Sequence, residues 1–223
     1  LITAIRREAP AILALAVPFI AGLGASTLLG VTDAIMLAPL GALPLAAVGI
    51  TSAVAVILYA AIYGLLSAMS VRIGTAHGAR QGRRIPATLR NGLALGWIVG
   101  MGGAAAMLAA WPLLPLLGQP PEVLAIMFPY WAAMSLAMIP FSVLTVFKAT
   151  FEAVDRPWLG TFFAFLAVIT NVPLNYALIW GLGPLPMLGL TGAGIASIAA
   201  ETLALLAAWA YWRRARSMRR LRL

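Results

Sequence analysis

The sequence has no cysteine and a single histidine, His77, among its 223 residues. Without cysteine the chain can form neither disulfide bonds nor thiolate metal sites. Charged residues make up only 9% of the chain, whereas a soluble domain carries roughly a quarter. Because so few charges cannot cover a water-facing surface, part of the solvent around this chain must be lipid.

The residue patterns that perform catalysis are equally scarce. The sequence shows no nucleophile beside a general base, no glycine-rich phosphate loop and no cluster of metal ligands. We therefore predict no catalytic residues, no cofactor and no resident metal ion. The net charge of +9 is a feature that nucleic-acid-binding proteins share. Here the basic residues flank apolar runs, and we expect a lipid bilayer and no nucleic acid as the partner.

Apolar sequence is abundant, with 63% hydrophobic residues and a mean hydropathy of +0.99. A membrane-crossing helix needs about 20 mainly apolar residues. Six runs meet that length, near residues 10–38, 45–71, 91–117, 123–147, 158–182 and 188–212. We predict an all-α integral membrane protein with a six-helix lobe over 1–212 and a basic cytoplasmic tail or linker over 213–223.

The basic residues predict an orientation. All 15 lie before span one, between spans two and three, at the junction of spans four and five, or after span six: Arg6, Arg7, Arg72, Arg80, Arg83, Arg84, Arg90, Lys148, Arg156, Arg213, Arg214, Arg216, Arg219, Arg220 and Arg222. Cytoplasmic loops carry the excess of lysine and arginine. We therefore expect a multi-pass protein of the bacterial inner membrane with both termini in the cytoplasm.

Small residues and prolines lie inside the spans. Four glycines at helical spacing in span three predict close helix packing: Gly92, Gly96, Gly100 and Gly103. Prolines that permit kinks are expected inside four of the spans: Pro18, Pro112, Pro140 and Pro173.

Asp33 is a carboxylate in an apolar span, and such a group is a functional hypothesis by default. It lies about 35 Å along a straight helix from Pro10, in the outer half of span one. Gly22, Ser26 and Gly30 share its helical face, which suits the wall of a water-filled cavity. The alternative is a structural carboxylate solvated at the membrane interface.

Glu201 is the second carboxylate, near the middle of span six, and it shares a face with Gly194 and Ser197. The spans carry no basic residue at that depth, so we expect no ion pair to neutralise it within this chain. It is then either protonated or hydrogen-bonded to another helix. A proton-coupling role and a structural role both remain open.

Asn171 and Asn175 lie four residues apart in span five and project from one face. Their amides can hydrogen-bond Asp33 or, with it, help to bind Na⁺. The alternative is an interhelical amide bond. In span two, Tyr59 and Tyr63 can offer rings to a flat, lipophilic cation. Packing or anchoring at the membrane interface is the alternative for both tyrosines.

Several segments, in order, resemble the amino-terminal half of the multidrug and toxic compound extrusion (MATE) transporters. Residues 31–36, VTDAIM, and 45–49, LAAVG, are similar to the family's "VDTVMAG…LAAVG". Residues 74–79, GTAHGA, resemble its "AQ-x-x-GA", and residues 171–175, NVPLN, its "N-x-x-L-N/D". Residues 188–197, LGLTGAGIAS, are similar to its "GLxGAAxAT". The stretch up to Glu201 looks like the DinF-like branch, whereas Asn175 is more like the NorM branch.

The resemblance implies a cation-coupled antiporter, driven by H⁺ or Na⁺, that exports cationic or lipophilic drugs by alternating access. It implies that Asp33, Asn171 and Asn175 line the cavity of the amino-terminal lobe. Asn175 stands where the DinF-like branch usually has aspartate, which argues against a simple proton relay from Asp33 to span five. The family has twelve helices in two lobes, with the substrate path between them.

The expected partners are therefore small cationic substrates, the bilayer and a second six-helix lobe, from the same gene or a second copy. The start at Leu1 favours a fragment. Two alternatives remain: a lipid-linked oligosaccharide flippase of the same superfamily, and a non-transporting membrane fragment or scaffold. The flippase predicts basic residues inside the cavity, and no span shows one in its interior.

Overall fold

The computed structural model describes residues 2–215 and Met218. This part of the chain forms six α-helices: α1 Ile2–Leu37, α2 Ala42–Gly78, α3 Arg84–Ala110, α4 Pro121–Ala153, α5 Pro157–Trp180 and α6 Gly189–Arg214. Three short 3₁₀ turns lie in the connections, at Ala38–Leu40, Trp111–Leu113 and Pro115–Leu117. The described residues contain no strand.

All six helices are long and apolar enough to cross a membrane. The shortest, α5, has 24 residues, which at about 1.5 Å per residue exceeds the roughly 30 Å of a bilayer's hydrocarbon core. Large apolar side chains are exposed along the helices, among them Ile20, Ile57 and Ile98. The predicted all-α membrane protein with six spanning helices is confirmed.

The helices start and end at different residues from the apolar runs. The third helix starts at Arg84, not near residue 91, and ends at Ala110, not near 117. Its first turn accommodates Pro86 because the first amides of a helix have no intrahelical partner. Pro112, expected inside span three, lies instead in the 3₁₀ turn after α3.

The fourth helix, α4, lies at the centre of the bundle and packs against α2, α3, α5 and α6. Its apolar side chains are buried almost all round, including Tyr130, Trp131, Phe147 and Phe151. The indole Nε1 of Trp131 donates a hydrogen bond of 3.0 Å to the backbone oxygen of Met107 in α3. Helices α2, α3, α5 and α6 therefore pack around α4.

The glycine seam of α3 faces α4, as the spacing predicts. A Cβ atom added to Gly100 would lie 2.9 Å from the Cα of Ile139, and one added to Gly96 would lie 3.3 Å from the Cα of Val143. The distance at Gly100 leaves no room for a Cβ atom, and the distance at Gly96 admits one only if the backbone of α4 moves away. The close approach of α3 to α4 therefore depends on glycine at these positions.

Short connections join successive helices, so the chain runs back and forth between two ends of the bundle. We call the end formed by residues 79–83, residues 154–156 and the last turn of α6 the basic end, because Arg80, Arg83, Arg156, Arg213 and Arg214 lie there. The other is the opposite end. The side chains of Arg6 and Arg7 and the tail arginines Arg216, Arg219, Arg220 and Arg222 lie outside the described residues.

Candidate functional site

Asp33 lies four residues before the end of α1, near the opposite end of the bundle, and only 1% of it is exposed. The amides of Asn171 and Asn175 on α5 are fully buried beside it. This meeting follows from packing, because α1 lies along α5 and α5 lies along α6. The four-residue spacing of the two asparagines then directs both amides to the same face of α5.

Four polar side chains form a closed hydrogen-bonded ring. Asn175 Nδ2 donates to Asp33 Oδ1 at 2.6 Å and to Asn171 Oδ1 at 2.8 Å. Asn171 Nδ2 donates to Ser197 Oγ at 3.3 Å, and Ser197 Oγ donates to Asp33 Oδ2 at 3.2 Å. We call Asp33, Asn171, Asn175 and Ser197 the Asp33 ring. It joins α1, α5 and α6 at one point.

Ser197 is the member of the ring that the sequence pattern does not single out. In the sequence it only shares a face with Glu201 and ends the segment from Leu188 to Ser197 that resembles the family. A buried hydroxyl on that face was the available signal. The structure places Ser197 1% exposed, directly against the second carboxylate oxygen of Asp33.

The ring holds a buried carboxylate with neutral donors. Among the described residues, no basic side chain forms an ion pair with Asp33. Asn175 Oδ1 is also buried there without a hydrogen-bond partner. A buried acceptor of this kind is costly unless something donates to it or binds it. The ring thus has oxygen atoms that can bind a proton or a small cation. Oxygen atoms are the ligands that hard cations prefer.

Glu201 does not join the Asp33 ring, and the expectation that no basic residue lies near it is wrong. Glu201 and Lys148 line the same small cavity, between α1, α4, α5 and α6. Lys148 was assigned to the junction after span four, but α4 continues to Ala153 and only 4% of Lys148 is exposed. The error came from ending the span at the charge, whereas packing at the centre of the bundle buries that charge.

The two tyrosines lie on the basic side of the ring. The ring of Tyr59 packs edge-on against Phe141, with 4.5 Å between the ring centroids. Tyr63 lies beside Lys148, whose Nζ is 5.6 Å from the centre of the tyrosine ring. The cation that Tyr63 contacts in this structure is thus a lysine of the protein itself.

The comparisons with known proteins agree with this architecture. The MatE family model matches residues 18–177, which includes three of the four members of the Asp33 ring. The chain belongs to the MatE family. The resemblance seen in the sequence is therefore confirmed, and these six helices form one lobe of a MATE transporter fold.

Two relatives and one solved structure illustrate the similarity. The probable multidrug resistance protein NorM of Neisseria meningitidis serogroup A is 32% identical over 149 residues, 66% of this chain and 32% of that protein. The NorM of Bradyrhizobium diazoefficiens is 33% identical over 153 residues, 68% of this chain and 33% of that protein. The eukaryotic MATE transporter AtDTX14 superimposes with a TM-score of 0.89 at 21% identity, covering 98% of this chain and 48% of that one.

The chain covers only part of the length of each protein that it matches. The chain spans about half of the solved MATE transporter that it matches, and the aligned segment is about a third of each NorM relative. The similarity therefore describes one lobe of a larger architecture.

Proposed function

We propose that this MATE lobe belongs to a cation-coupled antiporter that exports cationic or lipophilic drugs, with Asp33 as the residue that binds the coupling ion. The coupling ion is H⁺ or Na⁺. The proposal is supported by the NorM relatives, whose names describe multidrug resistance proteins. It is carried by one observation of the structure, the buried carboxylate of Asp33 held only by neutral donors in the Asp33 ring.

A buried carboxylate without a basic partner favours any cation that reaches it. A proton on Asp33 turns its carboxyl group from an acceptor into a donor. Rotation of the Asn175 amide would then turn its Oδ1, which has no hydrogen-bond partner in this structure, toward that donor. Na⁺ would instead use the oxygens of Asp33, Asn171 and Asn175. Either ion neutralises the charge and reorganises hydrogen bonds that join three helices.

That reorganisation is the proposed link to transport. The Asp33 ring ties the end of α1 to α5 and α6, so binding an ion there changes the relative energies of two arrangements of α1. Drug leaves the lobe in one arrangement and enters in the other, which is alternating access. Tyr59, which lies on the basic side of the Asp33 ring, is the tyrosine that we propose contacts a drug bound beside the ring.

The proposal includes an orientation and a partner. The basic end of the bundle faces the cytoplasm of a bacterial inner membrane, as the excess of arginine there favours. A second six-helix lobe, supplied by the same gene or a second copy, completes the substrate path. Residues 1–212 are the transmembrane lobe, and residues 213–223 are the tail or linker at its cytoplasmic side.

The test is ethidium efflux from cells expressing the gene at its full native length, with and without Asp33→Asn. Asparagine keeps the shape of Asp33 and one of its two acceptor oxygens, but it carries no negative charge and cannot take up a proton. We therefore expect efflux to fall to the background of empty cells. Asp155→Asn is the matched control, because Asp155 is exposed in the connection after α4. Normal efflux by Asp33→Asn would show that the proposed site is wrong.

The coupling ion is identified in vesicles by imposing either a sodium gradient or a pH gradient and measuring ethidium movement. The flippase alternative gains no support from Lys148, although it is a basic residue inside the lobe. Its cavity has room for about one water molecule and cannot accept an oligosaccharide headgroup.

A further inference from the structure

We propose that Glu201 is a second proton-binding site of the lobe, with Lys148 as its counter-charge, on a path between the Asp33 ring and the basic end. This inference rests on the proposed function with H⁺ as the coupling ion. It concerns residues that lie outside the Asp33 ring and that the proposed function leaves without a role.

The first observation is an incomplete set of contacts at Glu201. Its Oε2 is buried and, within the described residues, has no hydrogen-bond partner. The cavity beside it has room for about one water molecule. A carboxyl oxygen left in this way is satisfied either by that water or by a proton of its own, since an unpaired buried polar atom is costly. A carboxyl group that only braced the bundle would have a hydrogen-bond partner on a neighbouring helix.

The second observation is the charge that faces it. Lys148 lines the same cavity from α4 and interacts electrostatically with both Glu201 and Glu152. Tyr59 of α2 is the other titratable group near Glu201. Within the described residues, α1 and α5 contribute only apolar side chains to the cavity wall, namely Ala25, Leu29, Ala164, Ala167 and Val168. Lys148 and Glu201 form no direct ion pair within the described residues, but a positive charge on the wall of the same cavity lowers the cost of ionising Glu201.

The third observation is the order of these groups along the lobe. Ser197, in the Asp33 ring, lies four residues before Glu201 on α6, a separation of about 6 Å along the helix. Both α4 and α6 end at the basic end: Lys148 lies five residues before the end of α4, whereas Glu201 lies thirteen residues before the end of α6. Glu152 lies one turn beyond Lys148. A second cavity of about 130 Å³ begins there, lined by Tyr63, Ser67, Ser70 and Glu152. Thr145 lines both cavities.

The path therefore has a titratable carboxyl group at each stage, first Asp33, then Glu201 and then Glu152. A proton that leaves Asp33 is accepted by the Glu201 carboxylate, which becomes a neutral acid. The same proton later leaves Glu201 through water in the two cavities toward Glu152 and the basic end, and the carboxylate is restored. Lys148 stays an ammonium ion throughout, so one proton enters and one leaves.

The test separates substrate exchange from proton-driven transport in vesicles containing the full-length transporter. With no pH gradient, exchange of ethidium across the membrane needs no net proton flow, so Glu201→Gln should leave its rate unchanged. With an imposed pH gradient, ethidium accumulation should fall at least about tenfold, because the proton has lost its intermediate acceptor. Lys148→Met should likewise leave exchange unchanged and lower accumulation. Glu201→Asp, which keeps a carboxyl group, should accumulate ethidium like the unmodified protein. Thr202→Val is the matched control, since the Thr202 hydroxyl bonds only the backbone oxygen of Ile198 in its own helix.

The outcomes are distinguishable. If Glu201→Gln accumulates ethidium like the unmodified protein while Asp33→Asn does not, the relay is refuted and the proposed function stands. If Glu201→Gln loses exchange and accumulation equally, Glu201 is a structural brace and the inference fails. If a sodium gradient and not a pH gradient drives the unmodified protein, the inference also fails. If Asp33→Asn transports normally, the proposed function itself is wrong.

Discussion

Each member of the Asp33 ring supports two neighbours, so single side chains have consequences on more than one helix. Ser197 shows this most clearly, because its hydroxyl accepts a hydrogen bond from Asn171 and donates one to Asp33. Its loss would leave a buried amide donor and a carboxylate oxygen unpaired at once. Unpaired groups of this kind cost more than the hydrogen bonds themselves are worth.

Ser197→Ala is therefore expected to lower the free energy of unfolding by about 1–3 kcal/mol and to weaken binding of the coupling ion. The measurement is the thermal unfolding midpoint of the purified protein in detergent, with ethidium efflux measured in parallel. Ser135→Ala is the control, because Ser135 is equally buried but bonds only the backbone oxygen of Trp131 in its own helix. Equal losses in both variants would contradict a special role for the ring.

The residues of the candidate site were predictable to the extent that their chemistry is local. Asp33 stands out because an acid in an apolar run is rare, and Asn171 and Asn175 because their spacing puts both on one face. Ser197 and Lys148 were not selected, because serine is common in membrane helices and a lysine near a span end usually reaches water. Their burial depends on which helices surround them, and only the tertiary structure determines this.

At the scale of helices, the seam between α3 and α4 makes a quantitative prediction. Gly100→Ala places a methyl group where the Cα of Ile139 and the hydroxyl of Ser142 already lie, at 2.9 and 3.0 Å. The helices must separate, and we expect a loss of about 1–3 kcal/mol in the free energy of unfolding. Thermal unfolding in detergent measures it.

The matched control is Gly102→Ala, two residues along the same helix. A Cβ atom at Gly102 meets nothing within 4 Å, so the substitution should be neutral or should stabilise α3 by up to about 1 kcal/mol. Destabilisation of the same size at both positions would contradict the role of the close approach of α4, because helix propensity alone favours alanine over glycine.

The six helices themselves were predictable because membrane spans are selected by length and apolarity alone. The ends of the helices were less predictable, because a charged residue usually marks the end of a span but does not do so where other helices bury it. Helix α4 continues six residues beyond the predicted residue 147, and its last turns carry Lys148 and Glu152. The central place of α4 was not visible in the sequence, because apolar surface facing lipid and apolar surface facing protein have the same composition.

For the whole molecule, the distribution of arginine predicts which end faces the cytoplasm, and the absence of cysteine makes the test direct. Gln81→Cys lies in the connection at the basic end, and Gln119→Cys lies in the connection at the opposite end. A membrane-impermeant maleimide should label Gln119→Cys in intact spheroplasts and Gln81→Cys only after permeabilisation. Residues 1–223 without either substitution contain no cysteine and are the control. The reverse labelling pattern would invert the proposed topology.

The last prediction concerns how many helices transport requires. This lobe aligns with 48% of the solved eukaryotic transporter's chain, and repeat-built transporters place their substrate path between two repeats. Residues 1–223 expressed alone should therefore export ethidium only when two lobes associate, because a single lobe supplies one wall of the path.

Native mass spectrometry of the detergent-solubilised protein gives the number of chains, and efflux from the same cells gives activity. A tandem fusion of two copies of residues 1–223 tests whether a second copy can serve as the partner. Ethidium efflux by a protein that remains monomeric with six helices would contradict the two-lobe proposal while leaving the Asp33 site open to its own test.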